Sequence, residues 1–151
     1  MTANRILIQE KVFDVVVKRL AEAMDRELKV GSGLEPTNTQ GPLINARQFK
    51  RVSTSPALQG ISQFNLLLRV SFQLESIVKD AIDKGASVVR GGKPHALGGQ
   101  FFEPTLLVNV TSDMLVYSEE IFGPVAALVS FSDEQHALRL ANDCDRGLAG
   151  D

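Results

Sequence analysis

Between Glu10 and Lys29 the apolar residues Phe13, Val16, Val17, Leu20 and Met24 recur at three- and four-residue spacings, while Asp14, Lys18, Glu22 and Asp25 fall elsewhere. That period is the signature of an amphipathic helix with one face against a core. Directly before it lies Ile6-Leu7-Ile8, a short apolar run of the kind a buried strand carries. A buried strand feeding an amphipathic helix restricts the chain to folds in which helices cover a sheet. Gly31 and Gly33 follow, and a left-handed glycine cap is the expected end of this first helix.

The same alternation continues. Residues 31–45 are rich in Gly, Pro, Asn and Thr and are expected to be loop, with Gly41-Pro42 a turn. Residues 75–84 read as helix, ended by Lys84-Gly85, and residues 86–89 as strand. After the glycine-rich GGKPHALGGQ, a strand is expected over 105–110 with Pro104 at its start, and another over 125–131. Ser132 is the expected N-cap of a helix over 133–143, with Gln135 in the capping-box position. Strands alternating with helices predict an α/β fold with a parallel or mixed sheet flanked by helices.

Residues 52–73, VSTSPALQGISQFNLLLRVSFQ, break the pattern. Without them, ARQFKR would run directly into LESIVKDAIDKGA, and Phe49, Leu74, Ile77, Val78, Ala81 and Ile82 would form one apolar stripe. The segment therefore reads as a foreign insert in a helix. Its Pro56 and Gly60 oppose helical geometry. An in-frame intron, with Val-Ser encoded by a GTAAGT donor and Phe-Gln by an acceptor ending in CAG, is one origin. A natural loop insertion is the other.

At 151 residues the chain is long enough for one domain with a core, or it is a piece of something larger. Lys and Arg number 16 against 18 Asp and Glu, so no strong field recruits nucleic acid or an acidic membrane surface. The expected partner is a small molecule or another protein. One cysteine, Cys144, excludes an internal disulfide framework, and His95 and His136 are too isolated to suggest a metal site. No run approaches the roughly 20 apolar residues of a membrane span, so a soluble chain is expected.

TANRILIQ, LKVGSG, TQGPLIN, KGASVVRGGKPH, FFEPTLL, EEIFGP and LANDCDRGLAG occur in an order that resembles the catalytic half of the aldehyde dehydrogenase family. TQGPLIN, GGKPH and FFEPTLL resemble its succinate-semialdehyde dehydrogenase branch most. The other branches that the resemblance leaves open are those acting on glutarate semialdehyde or lactaldehyde. The resemblance covers the chain except residues 52–73 and implies an incomplete catalytic domain. Aligning the family's GQxCxxANR segment with Ala3-Asn4-Arg5 puts the nucleophilic cysteine one residue before Met1. The family's general-base glutamate and dinucleotide-binding unit lie earlier still. No catalytic residue is therefore expected here, and the chain alone is expected to be inactive, or to act as a non-catalytic interaction or misfolding fragment.

For the intact parent the resemblance implies attack of cysteine on an aldehyde, hydride transfer to NAD or NADP, and hydrolysis of the thioester by glutamate-activated water. It implies a homo-oligomer, located in mitochondria if the source is eukaryotic and in the cytoplasm otherwise. Glu120 and Phe122 match the family's EExFGP motif, in which the second acid accepts hydrogen bonds from the nicotinamide ribose hydroxyls and the aromatic packs beside them. A carboxylate suits that task because it offers several acceptor sites and makes charge-assisted bonds. Without the resemblance, Glu119-Glu120 would read as a solvated acid pair and Phe122 as core. Glu119 is expected to be structural or solvated. Asn142, Gly147 and Leu148 match an N-D-x-x-x-G-L-A pattern and are expected to finish a helix and turn the chain. Cys144 lies in the wrong motif for a nucleophile, with no base beside it. Asn4 and Arg5 are expected to be strand-start and surface residues.

Overall fold

The computed structural model describes residues 5–43, 74–119, 121 and 123–143. Among them the order is β1 (Ile6–Gln9), a 3-10 turn (Glu10–Val12), α1 (Phe13–Glu27), α2 (74–83), β2 (Ser87–Arg90), β3 (Thr105–Val108), α3 (Leu115–Ser118), β4 (Val125–Phe131) and α4 (Glu134–Asn142). The strands form one mixed sheet in the order β1-β4-β3-β2. β1, β4 and β3 are parallel, and β2 is antiparallel at the edge beyond β3. The mixed α/β architecture expected from the alternation is the one observed.

Alternation along each strand divides the core in two. Ile6 and Ile8 of β1, Leu106 and Val108 of β3, and Ala126 and Leu128 of β4 meet Phe13, Val16, Val17, Leu20 and Met24 of α1 on one face. Leu7, Leu107, Val125, Ala127 and Val129 point to the other, where α2 supplies Leu74, Ile77, Val78 and Ala81. The apolar stripe of α1 is thus the predicted one. Of the stripe proposed for the interrupted helix, Leu74 to Ala81 are buried, but Ile82 is half exposed, because the helix ends just past it. Phe49 and residues 52–73 lie outside the described residues.

Three local expectations need correction. α1 does not end on a left-handed glycine: Leu28 is extended, at φ −95° and ψ 112°. The Thr39 hydroxyl donates to the Glu27 carbonyl (2.7 Å), and the Thr39 and Gln40 amides donate to the Lys29 carbonyl (3.0 Å each). The carbonyl of the last helical residue, Glu27, is therefore satisfied by the following loop rather than by a glycine turn. Gly31 is needed for space instead, since a β-carbon there would collide with the Asn38 side chain. In α4 the N-cap is Asp133, not Ser132: its Oδ1 accepts from the His136 amide (2.9 Å), and the Ser132 hydroxyl donates to Asp133 Oδ2 (2.9 Å). β3 stops at Val108 because Asn109 turns the chain at φ 58°, a conformation asparagine tolerates. Gly85, at φ 103°, does end α2 as expected.

Candidate functional site

The stretch from Glu119 to Pro124 connects α3 to β4 at the edge of the sheet where the three parallel strands begin. Glu120 and Phe122 lie outside the described residues, so the site is defined by what holds the chain on either side of them. Upstream, the Glu119 amide donates to the Leu115 carbonyl (2.8 Å), and Glu119 itself is exposed, in line with a structural or solvated role. Ile121 is buried in the core that contains Leu74, Tyr117 and Val125. Downstream, the Pro124 carbonyl accepts from the Thr105 amide (2.7 Å), which fixes β4 against β3 in the register Thr105 to Val125. Gly123 packs against Leu74 so closely that no side chain fits between them without displacement.

Thr105 anchors a second layer beneath this corner. It is fully buried, donates to the Glu103 carbonyl (2.8 Å) and accepts from the Gly92 amide (2.8 Å). One hydroxyl thus joins the start of β3 to the turn after β2. Gly91, at φ 64°, passes so near the Pro104 carbonyl that a β-carbon would overlap it. The glycine pair of GGKPH is therefore required by backbone geometry.

α3 is fixed at both ends. At its start, Asp80 of α2 accepts from the Leu115 amide (2.8 Å) and pairs with Lys84 (2.9 Å). The amide hydrogen bond first, and Lys84 second, hold the Asp80 carboxyl below its ordinary pKa. At its end, the Tyr117 hydroxyl donates to Asp143 Oδ2 (3.0 Å), just beyond α4. Burial, then this hydrogen bond to a carboxylate, push the Tyr117 hydroxyl above its usual range.

Sequence reasoning treats Arg5 as a surface residue, and the structure corrects it. Arg5 is half-buried, its guanidinium lies 4.5 Å from the centre of the Tyr117 ring, and Nη1 donates to the carbonyls of Leu140 (3.2 Å) and Asp143 (2.8 Å). Arg5 and Tyr117 are the positions that the sequence does not single out. No local signal marks them, because 112 residues separate Arg5 from Tyr117 and only the sheet order brings them together.

The remaining candidates have ordinary roles. Asn142 ends α4, its amide donating to the Leu138 carbonyl (2.8 Å). His136 Nδ1 accepts from the Ser132 amide (3.3 Å) and His95 Nδ1 from the Leu97 amide (3.3 Å), so both imidazoles serve local turns. Among the described residues no group of three or more His, Cys, Asp or Glu is placed to hold a metal. Nor, among them, is any helix long and apolar enough to cross a membrane. Asn4, Cys144, Gly147 and Leu148 lie outside the described residues. A cleft lined by Met24, Asp25, Leu28, Arg90, His95 and Glu103 opens elsewhere, beside the paired charges Asp25–Arg90 and Lys93–Glu103.

Comparison with known proteins decides the family. A sequence profile described as "Aldehyde dehydrogenase family" matches residues 1–58 and 71–151. The chain belongs to the aldehyde dehydrogenase family. Among curated relatives of this aldehyde dehydrogenase segment, the mitochondrial succinate-semialdehyde dehydrogenase of Rattus norvegicus is 46% identical over 98% of the chain and 24% of the relative. That of Homo sapiens is 45% identical over the same shares. The succinate-semialdehyde dehydrogenase of Burkholderia pseudomallei has a solved structure that superposes with a TM-score of 0.77 at 41% identity, over 95% of this chain and 25% of that one. The segment thus spans about a quarter of the length of the family members it matches.

Proposed function

We propose that the chain is the part of an NAD- or NADP-dependent aldehyde dehydrogenase that forms one rim of the cofactor site, with Glu120 and Phe122 as the contacting residues. The observation that carries this reading is the fixation of the 119–124 corner: α3 upstream, Leu74 against Gly123, and the Thr105–Pro124 hydrogen bond downstream. Holding the flanking residues Glu119, Ile121, Gly123 and Pro124 lowers the ordering cost of binding at this corner, which favours recognition of two ribose hydroxyls. A carboxylate acceptor and an apolar wall fit the nicotinamide-ribose end of such a cofactor. When bound, the cofactor supplies the hydride acceptor. This chain's residues orient it. The corner lies at the opening edge of the parallel strands rather than at their carboxyl ends, where open α/β sheets bind ligands. In this reading the rest of the site comes from parts of the enzyme other than this segment.

The substrate of the parent is succinate semialdehyde, oxidised to succinate as a step in breakdown of 4-aminobutanoate. The relatives named succinate-semialdehyde dehydrogenase support this. Glutarate semialdehyde is the second reading, favoured by 42% identity to the glutarate-semialdehyde dehydrogenase of Pseudomonas aeruginosa. Comparison of kcat/KM for the two semialdehydes in the full-length enzyme decides between them, and a preference for glutarate semialdehyde overturns the first. For a eukaryotic parent a mitochondrial location fits the relatives that carry "mitochondrial" in their names, with a cytoplasmic one otherwise; a homo-oligomeric parent is part of the same proposal. The segment by itself reduces neither NAD nor NADP with an aldehyde. Reduction above a host-enzyme control by the purified chain contradicts this.

Residues 52–73 are an insert in this reading; the family profile leaves unmatched only 59–70 within it, and matches 52–58 and 71–73. A Gln73 codon other than CAG rules out the proposed intron boundary. For the cofactor contact the test is Glu120→Gln in the full-length enzyme, which removes the charge from the acceptor. An affinity loss of ~10-fold for NAD or NADP is expected, given that hydrogen bonds to charged groups are worth about 1.5–3 kcal/mol. An unchanged affinity overturns the assignment.

A further inference from the structure

From the start of β1, Arg5 reaches both the end of α3 and the end of α4. The carbonyls at a helix end lack intrahelical partners, and a cation placed there also complements the helix dipole. Arg5 provides both for α4 from a position distant in sequence. Its guanidinium also lies over the face of Tyr117, an attraction of the cation–π type. The Tyr117 hydroxyl closes the circle by donating to Asp143, whose carbonyl Arg5 holds. Tyr117 is two residues before Glu119 and three before Glu120. Any rotation of α3 about its own axis therefore moves the corner, and the other end of α3 is already pinned by Asp80.

We infer that Arg5 is a positioning residue for the cofactor corner: through Tyr117 and Asp143 it sets where Glu119, the described residue directly after α3, lies relative to the start of β1. The inference rests on the proposed cofactor contact of Glu120 and Phe122, and it adds the group that holds that contact in place. One guanidinium nitrogen, Nη1, donates to both carbonyls while the planar group lies over the ring, and lysine has no planar face to put there. Loss of the guanidinium leaves the end of α3 nearest the corner held only by the packing of Tyr117 and its hydroxyl's bond to Asp143. Loss of the Tyr117 hydroxyl alone leaves the stack intact.

The test measures binding in the full-length enzyme carrying Arg5→Lys, Arg5→Ala, Tyr117→Phe or Glu120→Gln, by titration calorimetry with two probes. One is NAD or NADP, and the other is ADP or its 2′-phosphate, which lacks the nicotinamide riboside. For Arg5→Ala the dinucleotide Kd rises ~10-fold, because small misplacements of a binding group are costly, while the ADP-type probe binds unchanged. Arg5→Lys shows the same split, which guards against a folding failure in the alanine variant, and Tyr117→Phe shows a smaller one. A merely structural role weakens both probes equally or neither, and either result overturns the inference. If Glu120→Gln weakens the dinucleotide while the Arg5 variants do not, only the Arg5 inference fails. If Glu120→Gln also has no effect, the corner reading fails with it.

Discussion

Leu74 occupies the space that a side chain on Gly123 would need: a β-carbon there would lie 2.8 Å from Leu74 Cδ1 and 3.0 Å from Cδ2. The first described residue of α2 is thereby locked against the last turn before β4, and Gly123 serves close approach rather than an unusual φ, since its φ is not positive. Gly123→Ala overpacks this contact and is expected to cost about 1–3 kcal/mol. The neighbouring atoms are the far end of a flexible side chain, so trimming them should relieve the clash. In thermal unfolding of the full-length enzyme, Gly123→Ala with Leu74→Val should therefore lose less stability than the sum of the two single changes. Additive losses count against a direct Leu74–Gly123 contact.

Thr105 tests the layer beneath. Its hydroxyl is the partner of both the Gly92 amide and the Glu103 carbonyl inside a fully buried site. Thr105→Val keeps the shape and removes the hydroxyl, leaving both backbone groups short of a partner at a cost of about 1–3 kcal/mol. Thr105→Ser keeps the hydroxyl and loses one methyl, about 1 kcal/mol. Chemical denaturation should rank Val below Ser in stability. The opposite order would show that the methyl, and not the hydrogen bonds, dominates this position.

Two glycines with similar backbone angles should respond differently to one substitution. Gly91 (φ 64°) and Gly98 (φ 68°) both sit in the left-handed region, where any added side chain costs about 1–2 kcal/mol. At Gly98 nothing else stands within 4 Å, whereas a β-carbon on Gly91 would lie 2.9 Å from the Pro104 carbonyl carbon and 2.8 Å from the Thr105 hydroxyl. Backbone cannot swing aside as a leucine tip can. Gly91→Ala should therefore cost clearly more than Gly98→Ala, and equal shifts in Tm would argue against close packing of the 91–105 contact.

The legible parts of this fold are those set by local period. The stripe Phe13 to Met24 and the runs at β1, β3 and β4 declare their faces by spacing alone, because burial on one side of a helix or strand writes itself into consecutive residues. Helix ends are less legible, since partners distant in sequence compete with the local signal. Thr39 displaces the glycine cap expected after α1, and Asp133 displaces Ser132 because its carboxylate is the stronger acceptor. The EEIFGP corner is legible only through family resemblance, as two acids before Phe-Gly-Pro have no distinctive period of their own. Arg5 is illegible for a stronger reason: its role exists only once β1 and β4 pair in parallel and bring α4 back to the start of β1.

Acid sensitivity follows from three surface carboxylates. Asp80 is held below its ordinary pKa of 3.8 by the Leu115 amide and then Lys84, Asp113 by the Thr111 hydroxyl, and Asp133 by the His136 amide and then the Ser132 hydroxyl. Each binds its proton less readily in the folded chain than in the unfolded one. The unfolded state therefore takes up more protons as pH falls, and the stabilisation, fully present above 3.8, is lost as pH drops through the lower folded-state values. Asp80→Asn should lower Tm near neutral pH, because the amide cannot pair with Lys84 as a charge. Below the folded-state pKa of Asp80 the parent side chain is itself neutral, so the two melting curves should converge there. Melting the full-length enzyme across that range, at an ionic strength that damps surface charge effects, reads the difference directly. A Tm gap that stays constant with pH would mean that Asp80 acts through shape alone, and that the start of α3 is held by something other than its charge.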